Sequence, residues 1–476
     1  MDELKRIRKI RSAVLLGLAL LLTAGWYITY RAGNSSAIRR LEAKAAKRGE
    51  PLTLAELAAK SPPIPDAENA AVVLLELWKE SEPQFWQAFI DGRAPLPERN
   101  VVPVDPDLPI LGSNATRPSR VQPLSPAALS AAEDYLKSHA AHMERVRAAL
   151  RRPRCRFPVK FNDGYDALLP HLSKLKGEAQ LFRLEALVAT ERGDNDAAIT
   201  ALGNPGRIGT LLAEEPFLIT QLVRIACFTM VVDGAQHLLC RRELAPSQLA
   251  RLDTMLDELK LPSSLRWAYI AERAAGLNIY EQSGDALARI ASSSDGSNDV
   301  KPADYRRLVR VMNAIGLASA DRRLMLESFD EAIELADKDS HQDLSRRREI
   351  FAEAGRKARR FPPKLFSSFL LPAMQRVPNK YANLEARRRA AVTAVAVQKL
   401  RLTQGGKLAE QLDELVPRFL PSVPLDPYDG QPLRYKRRPA GFVVYSIGPD
   451  GRDDGGQEGP LGNRVNDYDD TFFVER

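Results

Sequence analysis

From Ser12 to Tyr30 the chain carries no charged side chain, and nothing else in it limits the possible folds so strongly. Its heart runs from Ala13 to Ala24 through an almost unbroken series of leucine, valine and alanine. A helix of about 19 residues is roughly 28 Å long, close to the thickness of a bilayer core. Trp26, Tyr27 and Tyr30 gather at its far end, followed by Arg31, as expected of side chains that settle at headgroup depth. Lys5, Arg6, Arg8, Lys9 and Arg11 precede it and favour a cytoplasmic N-terminus, which sends everything after Arg31 outward. A cleaved signal peptide has the same order of basic and apolar parts, with Thr23, Ala24 and Gly25 as a small-residue site. The aromatic cluster beyond that site favours a retained anchor. The expectation is a single-pass protein of the inner (cytoplasmic) membrane. Residues 1–11 form a cytoplasmic basic tail, residues 12–30 meet membrane lipid, and the body is extracytoplasmic.

A chain of 476 residues has room for about two to four domains. Hydrophobic residues make up 44% and charged residues 27%, so the body is globular rather than disordered. Aromatic residues are only 7%, while alanine, leucine and arginine abound, which favours helices over a large sandwich. The predicted class is mainly α: a transmembrane helix, an irregular α-helical bundle or solenoid-like body, and a small C-terminal α+β module with a short antiparallel sheet. Juxtamembrane helices are expected over 31–92, a proline-rich connector over 93–124, an α-helical domain over 125–378 and the module over 379–476. Asp66 is placed to cap a helix running to about Ile90. Ser125 and Pro126 form a helix start, with Ser as N-cap and Pro in the first position. The run from Arg192 to Ala198 reads as the turn between two antiparallel helices and resembles a tetratricopeptide-type hairpin, although no 34-residue period follows it. Gly203 to Gly206 reads as a turn. Ala291 to Asp299 is a polar loop, and Phe361-Pro-Pro363 breaks a helical pattern.

The net charge is +8, unevenly spread. Acids crowd residues 321–343, and a basic stretch runs from Arg346 to Arg389. The basic stretch has the charge to meet anionic lipid or nucleic acid; a solvated helix face, partly paired with the acidic stretch, is the favoured account of it, and no nucleic acid is expected. Cys155, Cys227 and Cys240 are too few for a disulfide framework. Cys227 and Cys240 fall on one apolar helix pattern, as buried small side chains. The five histidines are His139, His142, His171, His237 and His341, and no zinc motif surrounds them. Neither a nucleophile elbow, a phosphate-binding loop nor a dinucleotide fingerprint is present. Glu178 with Glu185, and Glu214 with Glu215, are carboxylate pairs of the sort common on exposed helices. Trp267 and Tyr269, with Tyr280, read as core.

After Thr403 the composition changes. Gly405 and Gly406 end a helix, prolines 417, 421 and 424 follow, and Leu433–Lys436 and Phe442–Ile447 read as strands around a turn at Pro439–Gly441. Thr471–Val474 is a third candidate strand. Together with Asp426-Pro427, Gly430, Pro432, Tyr435, Tyr445-Ser446 and Gly448–Gly451, the region 379–476 resembles the C-terminal half of type II secretion system major pseudopilins. It differs from them in having no glutamate within the apolar segment and in the roughly 350 residues set between anchor and module. The resemblance thus implies a reused folded module. It also implies a calcium ion in the loop after the second strand. Asp450, Asp453 and Asp470 are the foremost ligand candidates, with Asp454, Asp467 and Asp469 behind them. The chemistry agrees, because clustered carboxylates repel one another unless a cation neutralises them, and Ca²⁺ accepts six to eight flexible oxygen ligands. A solvated acidic turn is the other reading of the same residues.

The expected function is that of a membrane-anchored, exported scaffold or interaction protein, tied to secretion or cell-envelope assembly, with protein partners in the envelope and a calcium-stabilised module. The alternative is an exported hydrolase using carboxylates in a helical cleft.

Overall fold

The computed structural model describes residues 2–92, 105–114, 118–281, 311, 316–360, 364–458 and 468–476. It is mainly helical, 66% helix, with a small three-stranded antiparallel sheet near the C-terminus. The polar loop 291–299, the break at 361–363 and much of the connector lie outside the described residues. Two compact units divide the chain, both discontinuous in sequence. The first takes Met1–Lys60, Ile270–Glu334 and Ile350–Met374; the second takes Ser61–Tyr269, Leu335–Glu349 and Gln375–Arg476.

In the first unit, helix α1 (Asp2–Lys47) runs unbroken from the expected span into the juxtamembrane piece. Its side chains at Leu18, Leu21, Leu22 and Ile28 are exposed, whereas Asn34, Ala37 and Ala45 are buried. Helix α2 (Leu54–Ala59) starts on a capping box in which Thr53 and Glu56 satisfy each other's backbone amides. The unit also holds most of α11 (Pro262–Glu281), α12 (Leu317–Leu335), the later turns of α13 (His341–Arg359) and α14 (Leu365–Met374). Ion pairs tie α1 to α12: Lys44 to Asp330 at 2.7 Å and to Glu334 at 2.6 Å, and Arg322 to Glu42 at 2.7 Å. Part of the acidic stretch is therefore spent on α1. Asp321, fully buried, accepts the backbone amides of Phe366 and Ser367 at 2.8 and 3.0 Å and so fixes the start of α14.

The second unit is built on α3 (Ala70–Ser81), α4 (Pro83–Ile90), α5 (Pro126–Ser138), α6 (Ala140–Leu150), α7 (Pro170–Arg192), α8 (Asn195–Leu211), α9 (Leu218–Arg241), α10 (Pro246–Asp257) and α15 (Arg376–Thr403). The single helix expected from Asp66 to Ile90 is two. Asn69, not Asp66, caps α3, and Pro83 breaks the run because it has no amide to continue the ladder. Ser125 caps α5 as expected, its hydroxyl accepting from Ala128 N at 3.2 Å. Gly193, at φ 83°, ends α7, and Asp194 caps α8, so the hairpin turn lies where the sequence placed it. The turn expected at Gly203–Gly206 is instead part of α8, with Pro205 inside the helix. Tertiary packing overrides the local signal here. A Cβ on Gly209 would sit 2.5 Å from Phe228 on α9, and Gly206 lies against Val231, so glycines on this face let the two helices meet.

Helix α9 has a mean hydropathy of 1.5 and is long and apolar enough to cross a membrane, but 61% of that window is buried. It lies within the second unit against α7, α8, α15 and β3, and Cys227 and Cys240 are buried in it as free thiols. The sheet runs β1 (Arg434–Arg438), β2 (Gly441–Ser446), β3 (Asp470–Glu475), all antiparallel, with Tyr435 opposite Val444 and Val443 opposite Phe473. Central β2 is buried almost throughout, which is why it reads as an unbroken apolar run. Helix α15 packs on β2 and β3, and β3 also meets α9, where Phe473 N donates to Gln236 at 3.2 Å.

Candidate functional site

The C-terminal turns converge on one residue that the sequence marked only as part of a motif. Asp426 is completely buried. Its Oδ1 accepts from Tyr428 N at 2.9 Å and from the Ser446 hydroxyl at 2.8 Å. Its Oδ2 accepts from Ile447 N at 2.9 Å and from Arg434 Nη1 at 2.7 Å. One carboxylate thus joins the Asp-Pro turn, the first strand and the end of the second. Gly430, at φ 75°, has no room for a side chain: a Cβ would lie 2.3 Å from His341 Nδ1. Gly448, at φ 69°, would place a Cβ 2.5 Å from Tyr468 O. Asp426, Gly430, Ser446 and Gly448 are therefore the residues without which this turn system does not close.

Of the expected calcium ligands, Asp450 and Asp453 each spend an oxygen on a local turn, accepting from Arg452 N at 3.1 Å and Gly455 N at 2.9 Å. Asp469 accepts from Gly456 N at 2.7 Å and from Asp454 N at 3.4 Å, closing the loop onto β3. Burial pushes the Asp469 carboxyl up; the two amides oppose this, and Asp453 and Asp454 add to it. Asp454 keeps a buried oxygen, Oδ2, without a hydrogen-bond partner among the described residues. Asp470 sits at the start of β3, hydrogen-bonded to Asn383 of α15, and its carboxyl is pushed up to about 7, chiefly by burial. Asp467 lies outside the described residues. Among the described residues no group of three or more His, Cys, Asp or Glu is arranged to hold a metal ion. The structure thus brings Asp453, Asp454 and Asp469 into one loop closure, while Asp470 turns inward to the helix.

The carboxylate pairs on the helices are structural knots rather than free acids. Glu178 is buried and accepts from the Trp78 indole at 3.1 Å, while His142 Nε2 lies 2.9 Å from both its oxygens. Glu178 follows Leu175 and precedes Ala179 and Phe182 on one helical face, so its burial was readable from the apolar spacing. Glu214 binds Arg154 at 2.8 Å, and Glu215 accepts a contact at 2.8 Å from fully buried His171. Glu191 faces His237 at 3.3 Å, and burial pulls that imidazole down. A hydrolase needs a carboxylate pair that substrate can reach; among the described residues the carboxyls pushed up, those of Asp321, Asp469 and Asp470, are all buried.

Two of the hollows in the second unit bear on its surface chemistry. A cavity of about 40 Å³, the size of a single water site, lies between α7 and α9 beside Arg183, Asp233 and His237. A groove of about 930 Å³ runs between α8 and α10, lined by Thr200, Gly203, Gly206, Thr210, Thr254 and Met255 among others. The small side chains of α8 leave its floor low, and Arg251 at the rim is held by Asp196 at 2.5 Å. A groove of this size and shape has the room for an extended or helical segment of another chain. Comparison with family models, curated proteins and solved structures finds no match.

Proposed function

We propose that this chain is a single-pass scaffold of the cytoplasmic membrane, anchored by residues 12–30, whose exported body binds a protein partner of a secretion or envelope assembly. The observation that carries the reading is the behaviour of α1. Leu21 and Leu22 are 74% and 68% exposed, while from Asn34 onward the same helix is packed. Exposed leucines on a rigid helix cost about 1.5–3 kcal/mol each in water relative to burial, and a bilayer removes that cost. The groove between α8 and α10 is the surface offered to the partner. The C-terminal module is a pseudopilin-like fold in this reading, supported by a helix lying across a three-stranded antiparallel sheet and by the glycine and aspartate turns that Asp426 joins. The acidic loop takes a calcium ion in the same reading. Its support is the orphaned Asp454 Oδ2 and the mutual repulsion of Asp453, Asp454 and Asp469.

A photo-crosslinking side chain at Met255, in the groove, tests the partner reading against the same side chain at Lys79, outside it. Adducts at Met255 that are absent at Lys79 are expected; equal labelling at both removes the groove from the account. Calorimetry of the full chain with Ca²⁺ and with EGTA tests the ion, and superimposable curves exclude it.

A further inference from the structure

A cleft of about 380 Å³ in the first unit is lined by Tyr30 and Asn34 of α1, by Arg323 of α12, and by Lys357, Arg360 and Lys364. One carboxylate, Glu327, shares the lining, and it is engaged by Arg323 at 2.7 Å. Lys357 and Arg360 are exposed. Lys357 is paired with Glu353 at 3.8 Å, but among the described residues no acid pairs with Arg360 or Lys364: Asp330 and Glu334 are held by Lys44, and Asp321 caps α14. Asn34 gives an independent indication of a ligand. It is 5% exposed and its Oδ1 accepts from Arg323 at 3.4 Å, yet its Nδ2 is buried with no acceptor among the described residues. An unmet buried donor is costly, and an anionic oxygen in the cleft would satisfy it.

The position of the cleft along α1 decides which anion. Tyr30 closes the uncharged stretch, and Asn34 lies one turn further, about 6 Å along the helix axis. The headgroup layer on each side of a bilayer is itself roughly 5–7 Å deep. Ala320 and Leu324 give the cleft an apolar side, and the exposed Ile28 of α1 comes just before it on the helix. We infer that this cleft binds the phosphate headgroup of an anionic phospholipid, with Arg360, Lys364 and Asn34 on the phosphate oxygens and the acyl chains lying along the apolar part of α1. The inference rests on the anchoring of residues 12–30 proposed above. It gives the basic residues just after α13 a role beyond solvation.

The test uses the full-length chain, purified in detergent, with phosphatidylglycerol, phosphatidylcholine and free glycerol phosphate as probes and native mass spectrometry as readout. Phosphatidylglycerol is expected to bind in preference to phosphatidylcholine. Each of these cations makes a charge-assisted hydrogen bond to the phosphate, so Arg360→Gln with Lys364→Gln is expected to weaken binding by more than about 100-fold. Asn34→Leu is expected to weaken it while leaving lipid-free thermal stability intact, which a purely structural asparagine would not do. Arg356→Gln with Arg359→Gln removes the same charge from outside the lining and is expected to leave binding almost unchanged. An equal effect of both pairs means diffuse surface attraction and overturns the cleft. Binding of glycerol phosphate as tight as that of the lipid overturns the lipid as its source. Carbonate extraction of membranes holding the same variants separates the two readings. Variants that stay in the membrane but lose lipid selectivity confirm the cleft, wild-type protein that stays in the membrane without lipid selectivity refutes the cleft alone, and wild-type protein washed off refutes the anchor.

Discussion

Replacing Asp426 by asparagine perturbs the C-terminal module at its most connected point. The side chain is fully buried and accepts from four donors: two backbone amides, a hydroxyl and a guanidinium. Asparagine keeps the shape but turns one acceptor oxygen into a donor, so two of the four donors face another donor. A hydrogen bond to an ionised partner contributes about 1.5–3 kcal/mol net, so losing two costs about 3–6 kcal/mol. The two amides that Asp426 holds, Tyr428 N and Ile447 N, report on this directly. If local opening exposes them, their hydrogen exchange accelerates by roughly two to four orders of magnitude. Asp429→Asn is the control. Asp429 pairs with Arg434 at 2.5 Å but is partly exposed, so its loss costs under about 1 kcal/mol. Less than tenfold acceleration in Asp426→Asn, or equal acceleration in the control, refutes the assignment of Asp426 as the joint of the turn system.

Other outcomes follow from the same structure. Gly209→Ala forces a Cβ to 2.5 Å from Phe228 and is expected to cost about 1–3 kcal/mol in denaturant melts. Gly177→Ala, a helical position with nothing within 4 Å, is expected to add about 0.5–1 kcal/mol; destabilisation there contradicts the packing of α7. Arg273→Ala takes one of its two guanidinium partners from the buried Glu50 carboxylate, Arg48 remaining at 2.9 Å, and is expected to cost about 1.5–3 kcal/mol of first-unit stability by thermal melting. Asp470 gives a pH signature. Its carboxyl titrates at about 7 when folded against an ordinary 3.8, so the folded chain binds more protons between these values. Its contribution to stability is therefore greatest below about pH 4 and is lost as pH rises towards 7, at up to about 1.4 kcal/mol per unit. Asp470→Asn is expected to flatten that slope; an unchanged slope contradicts the burial of the carboxyl.

The mainly helical class and the short antiparallel sheet were legible because their periods are local. Phe442–Ile447 could only be a buried strand once Gly441 and Gly448 bounded it, and Gly193-Asp194 states a helix stop and start within two residues. What was not legible depended on distant partners. Pro205 is a turn signal by every local rule, and only the close approach of α9, through Gly209 and Phe228, makes it helical. The apolar spacing puts Glu178 on a buried face, but the partners that hold it there, Trp78 and His142, are 100 and 36 residues away in the chain and leave no local trace. The acidic loop was visible as composition, but which aspartates point where follows from backbone turns: Asp453 and Asp469 serve the loop and Asp470 serves α15. The joint at Asp426 had a usable signal, an aspartate before proline in a turn leading to a strand, yet its four donors come from three separate segments.

The account stands on the placement of residues 12–30 in lipid with the body on the outer side. The most direct measurement fuses two reporters in turn after Arg476 in a bacterial host: a phosphatase active only outside the cytoplasm and a fluorescent protein that matures only inside. The account predicts an active phosphatase, a dark fluorescent fusion and full-length chain retained in carbonate-washed membranes. A bright fluorescent fusion with an inactive phosphatase, or full-length chain in the soluble fraction, contradicts it.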